Sequence, residues 1–175
     1  MIDQLAHDAI ELARTASATV DRRAVGRALL TNDSYQILAL HRGRELAWRV
    51  GLPVVSHVLR RVQTAVYGIE IGCEVTLGSG VYFVHPVGIT IGGDARIGDR
   101  VRFYGNNTVG TAREDGYPTL EDDVIVGAGA RILGPVTVGR GALIGANAVV
   151  ITDIPAGGVA VGMPARVVSL RESRP

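Results

Sequence analysis

Four histidines could supply acid–base chemistry, because an imidazole has a pKa of about 6.5 and exchanges protons near neutral pH. His7, His41 and His57 lie in a segment of helix-like spacing, with no partner at the spacing of a metal site. His85 differs, because it opens the segment HPVGITIGG (85–93), which interrupts a regular repeat. We therefore take His85 as the strongest candidate for proton transfer, with a polar corner residue as the alternative, and we predict no metal site.

The repeat that surrounds His85 has a period of six residues. Aliphatic or aromatic residues occupy one register at Ile71, Leu77, Phe83, Ile91, Ile97, Phe103, Val109, Leu120, Val126, Ile132, Val138, Ile144 and Val150. A period of six fits neither a helix nor simple alternation, and it indicates a stacked repeat fold. We predict a mainly β protein, a parallel β-helix of hexapeptide repeats in which three short sides close each coil around an aliphatic core.

Two irregularities break this register. Two extra residues separate Phe83 from Ile91, so something is inserted beside His85. The segment 110–119, GTAREDGYPT, is too polar for a buried layer, and we predict that it forms an extruded loop. Loops on a rigid scaffold commonly contact ligands, although a solvated insertion without function is the alternative.

The first part of the chain has helical spacing instead. We predict a helical region over 1–66, in which Asp33 or Ser34 caps one helix and Pro53 begins the last. The segment 54–66 is expected to cover the open end of the β-helix, whose strand edges would otherwise be unpaired. The β-helix domain is predicted over 67–168, followed by a short tail over 169–175.

Composition excludes several classes of function. The 18 basic and 17 acidic residues give a net charge of +1 without a basic block, which argues against nucleic acid binding. The sequence has no apolar run of about 18 residues and no signal peptide pattern, so we expect a cytoplasmic protein without membrane contact. The single cysteine, Cys73, allows no internal disulfide.

Three segments resemble a known family. They are HPVGITIGG (85–93), VGAGARILGPVTVGRGALIGANAVV (126–150) and VGMPARVV (161–168). Together they resemble serine acetyltransferases, which belong to the left-handed β-helix hexapeptide acyltransferases. The last two segments are common to many hexapeptide transferases, whereas the first is more specific. The resemblance implies a left-handed β-helix, acetyl-CoA as co-substrate, no metal and a homotrimer.

The same resemblance assigns catalytic roles. It makes His85 the general base that takes a proton from an acceptor hydroxyl as this oxygen attacks a thioester. The family's carboxylate, which orients the imidazole and stabilises its protonated form, aligns with Glu70 in GIEI. Glutamate keeps the charge but lengthens the side chain, and a solvated carboxylate is the alternative for Glu70.

The resemblance also implies where acetyl-CoA binds, namely in a groove between adjacent subunits. The family's alanine contact matches Ala128, and the small residues Gly110 and Ala146 are expected to line the same groove. Arg140 and Arg166 could bind CoA phosphates, because a guanidinium presents a planar set of donors, or they could be solvated surface charges.

The acceptor residues depart from the family pattern. Val84, Gly116 and Tyr117 stand where serine acetyltransferases have an aspartate, an arginine and a histidine. Without these charged side chains the protein has no evident partner for the ammonium and carboxylate of free serine. We therefore expect a less charged alcohol, such as a sugar, a polysaccharide unit or a metabolite precursor.

Three candidates for contacts with the acceptor remain. Tyr117 could either hydrogen-bond the acceptor or pack the loop, and Asn106 and Asn107 are further polar candidates. Serine O-acetylation, N-acylation of an amino sugar and a non-catalytic β-helix scaffold remain as alternative functions.

Overall fold

The computed structural model describes residues 2–16, 22–111, 113 and 115–170. Four helices come first, and fifteen short strands follow within these residues. The helices are α1 (Ile2–Ala16), α2 (Arg22–Thr31), α3 (Asp33–Arg49) and α4 (Pro53–Tyr67). The strands are β1 (Glu70–Ile71), β2 (Thr76–Leu77), β3 (Tyr82–Phe83), β4 (Thr90–Ile91), β5 (Arg96–Ile97), β6 (Arg102–Phe103), β7 (Thr108–Gly110), β8 (Thr119–Leu120), β9 (Ile125–Val126), β10 (Arg131–Leu133), β11 (Thr137–Val138), β12 (Leu143–Ile144), β13 (Val149–Val150), β14 (Gly158–Val161) and β15 (Arg166–Leu170).

The strands form the three faces of a parallel β-helix, as the six-residue period predicts, and the helix is left-handed, as the family resemblance implies. Sheet 1 contains β1, β4, β7, β10 and β13, and sheet 2 contains β2, β5, β8 and β11. Sheet 3 contains β3, β6, β9, β12, β14 and β15, of which only β15 runs antiparallel to its neighbour. Each coil therefore visits sheets 1, 2 and 3 in turn and meets the next coil in parallel register.

The core lies inside this prism. All thirteen residues of the six-residue register are at most 5% exposed, which confirms the predicted inward face. Phe83 and Phe103, in successive coils, stack with ring centroids 5.7 Å apart and planes 13° from parallel. Burial of one apolar layer per coil against the next is what holds such a repeat together.

The two irregularities lie between strands. The extra residues beside His85 occupy the connection from β3 to β4, and β7 and β8 frame the second insertion. Gly110 and Thr119 belong to those strands, so the connection is shorter than the predicted loop, and residues 112 and 114 lie outside the described residues. α4 ends at Tyr67, and β15 continues to Leu170, while 171–175 of the predicted tail lie outside the described residues.

The N-terminus of α3 corrects a prediction about its cap. Asn32 is the capping residue, and its side-chain oxygen accepts hydrogen bonds from the backbone N–H groups of Ser34 (2.9 Å) and Tyr35 (3.3 Å). Asp33 and Ser34 lie inside the helix. Asn and Ser are equally good caps, and here the hydroxyl of Ser34 bonds to the backbone of Phe83 instead.

The open end of the β-helix is covered by α1 and α3, whose buried Leu12, Ile37 and Leu38 belong to the same core cluster as the coils. The predicted cover, 54–66, contacts β1, but its valines are exposed. Arg42 donates to the carbonyl oxygens of Leu77 and Gly78 (both 2.8 Å), and Arg44 donates to that of Ile71 (2.9 Å). The hydroxyl of Ser34 accepts from the N–H of Phe83 (2.9 Å). Exposed strand edges need hydrogen bonds, which valines of α4 cannot supply.

Candidate active site

His85 stands at the head of a column of small residues on one edge of the prism, where sheet 3 turns into sheet 1. The register pairs Phe83, Phe103, Val126 and Ile144 across neighbouring coils of sheet 3. The residues two positions later are therefore stacked, and we call them the His85 column: His85, Gly105, Ala128 and Ala146. Neighbouring strands lie about 4.8 Å apart, so this column presents a long and narrow surface.

Gly105 fits this position because of its contact with His85. A Cβ atom on Gly105 would lie 2.8 Å from the carbonyl oxygen of His85 and 3.1 Å from its Cβ, and the backbone has a φ of 111°. A side chain at this position would clash and would also strain the backbone. The close approach of the two coils below His85 thus depends on this glycine.

The His85 loop (84–89) is fixed through its backbone, while the imidazole is left exposed. Val84 donates to the carbonyl oxygen of Phe103 (2.8 Å), and Gly88 donates to that of Gly68 (2.9 Å). The imidazole makes no hydrogen bond or ion pair with any described residue. A fixed loop with a free ring can present an imidazole nitrogen to a ligand.

Glu70 lies at the same edge of the prism but does not contact His85. It begins β1, two residues after Gly68, to which the His85 loop is hydrogen-bonded. Its carboxylate is 55% exposed and lies 3.6 Å from a guanidinium nitrogen of Arg60 on α4. The predicted contact between Glu70 and His85 is not formed, and Arg60 is a neighbour that sequence analysis missed.

Asn106 and Asn107 have different environments. Asn107 is fully buried, accepts from the N–H of Gly105 (3.0 Å) and donates to the carbonyl oxygen of Gly127 (2.7 Å). Both ends of its amide are therefore used to join coils, so it is not available to an acceptor molecule. Asn106 is exposed, and Arg131 donates to its carbonyl oxygen, which leaves Asn106 near the His85 column but already engaged.

Tyr117 and Gly110 lie on a different edge, where sheet 1 turns into sheet 2. The ring of Tyr117 covers Gly93, where a Cβ atom would lie only 2.1 Å from the ring and where φ is 57°. Its hydroxyl makes no hydrogen bond with the described residues, so the ring packs and the hydroxyl remains free. Gly110 ends β7 and pairs with Leu133. Within one chain neither residue joins the His85 column.

The two arginines that were candidates for binding CoA phosphates lie at different distances from the His85 column. Arg140 lies where sheet 2 turns into sheet 3 and pairs with Asp122 at 3.0 Å, away from the His85 column. Arg166 begins β15 opposite Val161, one residue before Gly162, which continues the column beyond Ala146. Arg166 therefore lies near the far end of the column and is the better placed of the two for a phosphate.

A metal centre and a membrane span find no counterpart in the described part of the chain. No three His, Cys, Asp or Glu side chains within it gather closely enough to hold a metal ion. None of its helices has the length and hydropathy needed to cross a bilayer.

Comparison with known proteins gives one consistent result. The family model for the bacterial transferase hexapeptide (six repeats) matches residues 117–152. A serine acetyltransferase of Synechococcus elongatus is 36% identical over 143 residues, which cover 80% of this chain and 59% of that protein. A serine acetyltransferase of Bacillus pumilus is 35% identical over 149 residues, covering 83% of this chain and 69% of that protein. The chain thus spans only about three fifths of the Synechococcus protein.

A solved structure described as serine acetyltransferase in complex with CoA superposes with a TM-score of 0.85 at 29% identity. The alignment covers 95% of this chain and 69% of that one. The likeness therefore extends over the helices as well as the β-helix.

Proposed function

Because the chain belongs to the serine acetyltransferase family of hexapeptide transferases, we propose that it transfers an acetyl group from acetyl-CoA to an acceptor hydroxyl. The observation that carries this proposal is the His85 column, where an exposed imidazole heads a row of small residues at one edge of the prism. A rigid backbone around a free imidazole suits a base that must meet two substrates.

His85 acts as the general base in this proposal. A neutral ring nitrogen accepts the proton of the acceptor hydroxyl as its oxygen attacks the thioester carbonyl, and the proton then passes to the departing CoA sulfur. Glu70 assists by stabilising the imidazolium, for which its carboxylate must turn from Arg60 towards His85. Its exposure leaves room for that rotation.

Glu70→Gln should lower turnover by about 10- to 100-fold, because it removes one charge-assisted hydrogen bond to the imidazolium but keeps the base. Steady-state release of CoA measures this effect. Glu74→Gln is the matched control, since Glu74 is an exposed carboxylate in the turn after β1. Equal activity of the Glu70 and Glu74 variants would show that Glu70 is only a surface carboxylate.

The His85 column is the proposed binding surface for acetyl-CoA, with Ala128 and Ala146 beside its extended pantetheine arm. From His85 to Gly162 the column crosses four coil spacings, or about 19 Å, which suits a long and thin ligand. Arg166 near the far end could then bind a phosphate of the nucleotide through its planar fork of donors. The position of Gly110 and Arg140 on other edges makes them contacts only if another copy of the chain supplies them.

Ala146→Leu should raise the KM for acetyl-CoA at least about tenfold, because a larger side chain fills the narrow surface and about 1.4 kcal/mol of lost contact is sufficient. The alanine is exposed, so the fold should be unchanged. Ala156→Leu is the matched control, as Ala156 occupies the equivalent exposed position after Ile154 on another edge. The same KM in both variants would place the cofactor arm elsewhere.

Homotrimer formation accounts for residues that one chain cannot bring together. His85 and the free hydroxyl of Tyr117 lie on different edges of the same prism, so both can line one site only if neighbouring copies meet. α4 also exposes a contiguous apolar row, formed by Val54, Val58, Val62 and Val66. Single exposed apolar residues are normal on a monomer, whereas a contiguous row favours an interface. We therefore propose a site between adjacent subunits of a trimer.

Serine is the acceptor that the names of the relatives favour, and we propose L-serine as the first candidate. A second candidate is an alcohol that lacks the ammonium and the carboxylate of serine, and it is favoured by Val84, Gly116 and Tyr117. Valine and glycine offer no charge to an ammonium or a carboxylate, and the ring of Tyr117 is occupied by packing.

A panel of acceptors tests the function as a whole. Thiol release from acetyl-CoA would be measured with L-serine, with ethanolamine and with an uncharged sugar at equal concentrations. Acceleration by L-serine alone supports the first candidate, and acceleration by the uncharged alcohol supports the second. No acceleration by any acceptor over hydrolysis would contradict the proposed acetyl transfer to these acceptors.

A further inference from the structure

A second polar cleft lies apart from the His85 column, between α3, the start of α4 and the turn after β1. One face of α3 forms most of its wall, with His41, Arg44 and Trp48 one helical turn apart. Glu45 and Glu74 also line it. No residue of this cleft belongs to the proposed acetyl transfer site, so its purpose is a separate question.

His41 faces this cleft without a hydrogen-bond partner. It is 1% exposed, and neither ring nitrogen forms a hydrogen bond with a described residue, although a carboxylate oxygen of Glu45 lies 3.7 Å from Nε2 and the backbone of Val75 is near. Burial, together with the charges of Arg44 and Arg42, lowers the pKa of His41 to about 3. The ring is therefore neutral, with one N–H donor and one acceptor nitrogen free, and an unsatisfied buried polar group of this kind is costly.

Arg44 is a buried cation of the same wall. It is 2% exposed, and its terminal nitrogens donate to Gln63 (2.8 Å) and to the carbonyl oxygen of Ile71 (2.9 Å). Its Nε–H has no partner, and a terminal nitrogen also lies 3.7 Å from the sulfur of Cys73. Glu45, the carboxylate nearest in charge effect, lies 3.7 Å from His41 and from Arg42 instead. Arg42, two residues earlier, has a carboxylate partner in Asp8 at 3.4 Å. Buried charges are normally paired, which marks Arg44 as a place for an anion.

We propose that this cleft binds a small monocarboxylate, whose two oxygens accept hydrogen bonds from the Nε–H of Arg44 and a ring N–H of His41 when the cleft wall opens, since these nitrogens are buried behind it. Two hydrogen-bond donors suit the two oxygens of a carboxylate better than a tetrahedral dianion such as phosphate, which has more acceptor oxygens to satisfy. Glu45, whose carboxylate lies 3.7 Å from the Nε2 of His41, leaves the other ring nitrogen to the ligand, and together with Glu74 it repels a second negative charge. Trp48 supplies an apolar surface for the far end of the ligand.

The single tryptophan of the chain makes the test direct, because Trp48 lines the cleft. The emission of Trp48 would be followed while sodium acetate is added at pH 7, with sodium chloride and sodium phosphate at equal ionic strength as parallel titrations. We expect a saturable change with acetate alone. A linear change, or the same change with chloride or phosphate, would overturn the proposal.

Two variants and one control assign the site. Arg44→Gln should weaken acetate binding about tenfold or more, the effect of losing a hydrogen bond to a charged group. Arg44 also donates to the carbonyl oxygen of Ile71, so its replacement removes a contact of the fold as well. His41→Leu is therefore the second variant, because the ring nitrogens of His41 make no hydrogen bond that the fold would lose. Arg61→Gln, an exposed change on α4, should bind as the wild type does.

Unchanged acetate binding in His41→Leu and in any folded Arg44 variant would contradict the assignment. A crystal structure of the protein grown in acetate that shows only a water molecule between Arg44 and His41 would contradict it too. Acetate oxygens on both groups are the expected result.

Discussion

His85→Ala is expected to lower acetyl transfer by about 10²- to 10⁴-fold, which is the usual contribution of a general base. The imidazole heads the small-residue column, is exposed and has no partner among the described residues, so it is free to act on a substrate. For the same reason its removal should leave the fold intact. Steady-state release of CoA measures the loss, and thermal unfolding checks the fold.

His7→Ala is the matched control for this experiment. His7 is also exposed, but it lies on α1 outside the proposed site. We expect wild-type rates from His7→Ala. If His85→Ala also kept the wild-type rate, His85 would be no more than a polar residue at a corner, and a non-catalytic scaffold would become the better account of the β-helix.

Ile97→Asp is expected to abolish folding. Ile97 is 3% exposed and lies between Leu77 and Leu120 in the layer of the core that sheet 2 contributes. A carboxylate there has no partner, and burying an unpaired charge costs several kcal/mol even after relaxation. Domains are stable by only about 5–15 kcal/mol, so this cost together with the lost apolar contacts of Ile97 is expected to remove that margin.

Arg96→Asp tests whether position rather than charge decides this outcome. Arg96 is the other residue of β5, with its side chain exposed between Thr76 and Thr119. A surface substitution of this kind usually changes stability by no more than about 0.5 kcal/mol. Circular dichroism and thermal unfolding compare the two variants. A folded and equally stable Ile97→Asp protein would contradict the assignment of the core.

The six-residue register could be predicted because the fold buries the same side of every strand. From Ile71 to Val150, each residue of that register fills the core, and its aliphatic or aromatic side chain makes this visible in the sequence. The two irregularities were equally visible, since an insertion into a strict period changes the spacing. Hydrophobic burial is thus the part of the structure that a sequence expresses most directly.

The site could be predicted only in part. Ala128 and Ala146 came from the resemblance, but Gly105 was missed, because it follows His85 by 20 positions and precedes Ala128 by 23. A constant offset of two residues from Phe83, Phe103, Val126 and Ile144 would have found the whole column. The insertions hide this stacking from a search at fixed period, whereas the core register preserves it.

Other differences arise from interactions that have no sequence period. The ion pair of Arg60 with Glu70 depends on how α4 meets the first coil, and the burial of Asn107 depends on hydrogen bonds between coils. The cover of the open end was predicted from 54–66, whereas α1 and α3 supply buried Leu12, Ile37 and Leu38 together with arginine and serine groups bonded to strand ends. The backbone groups at that end must be hydrogen-bonded as well as covered.

A crystal structure of the protein with bound CoA would show directly where the cofactor lies. We expect the pantetheine arm of CoA along Gly105, Ala128 and Ala146, with its sulfur in contact range of the imidazole of His85. CoA bound along either of the other two edges of the prism, or with its sulfur remote from His85, would contradict the proposed site.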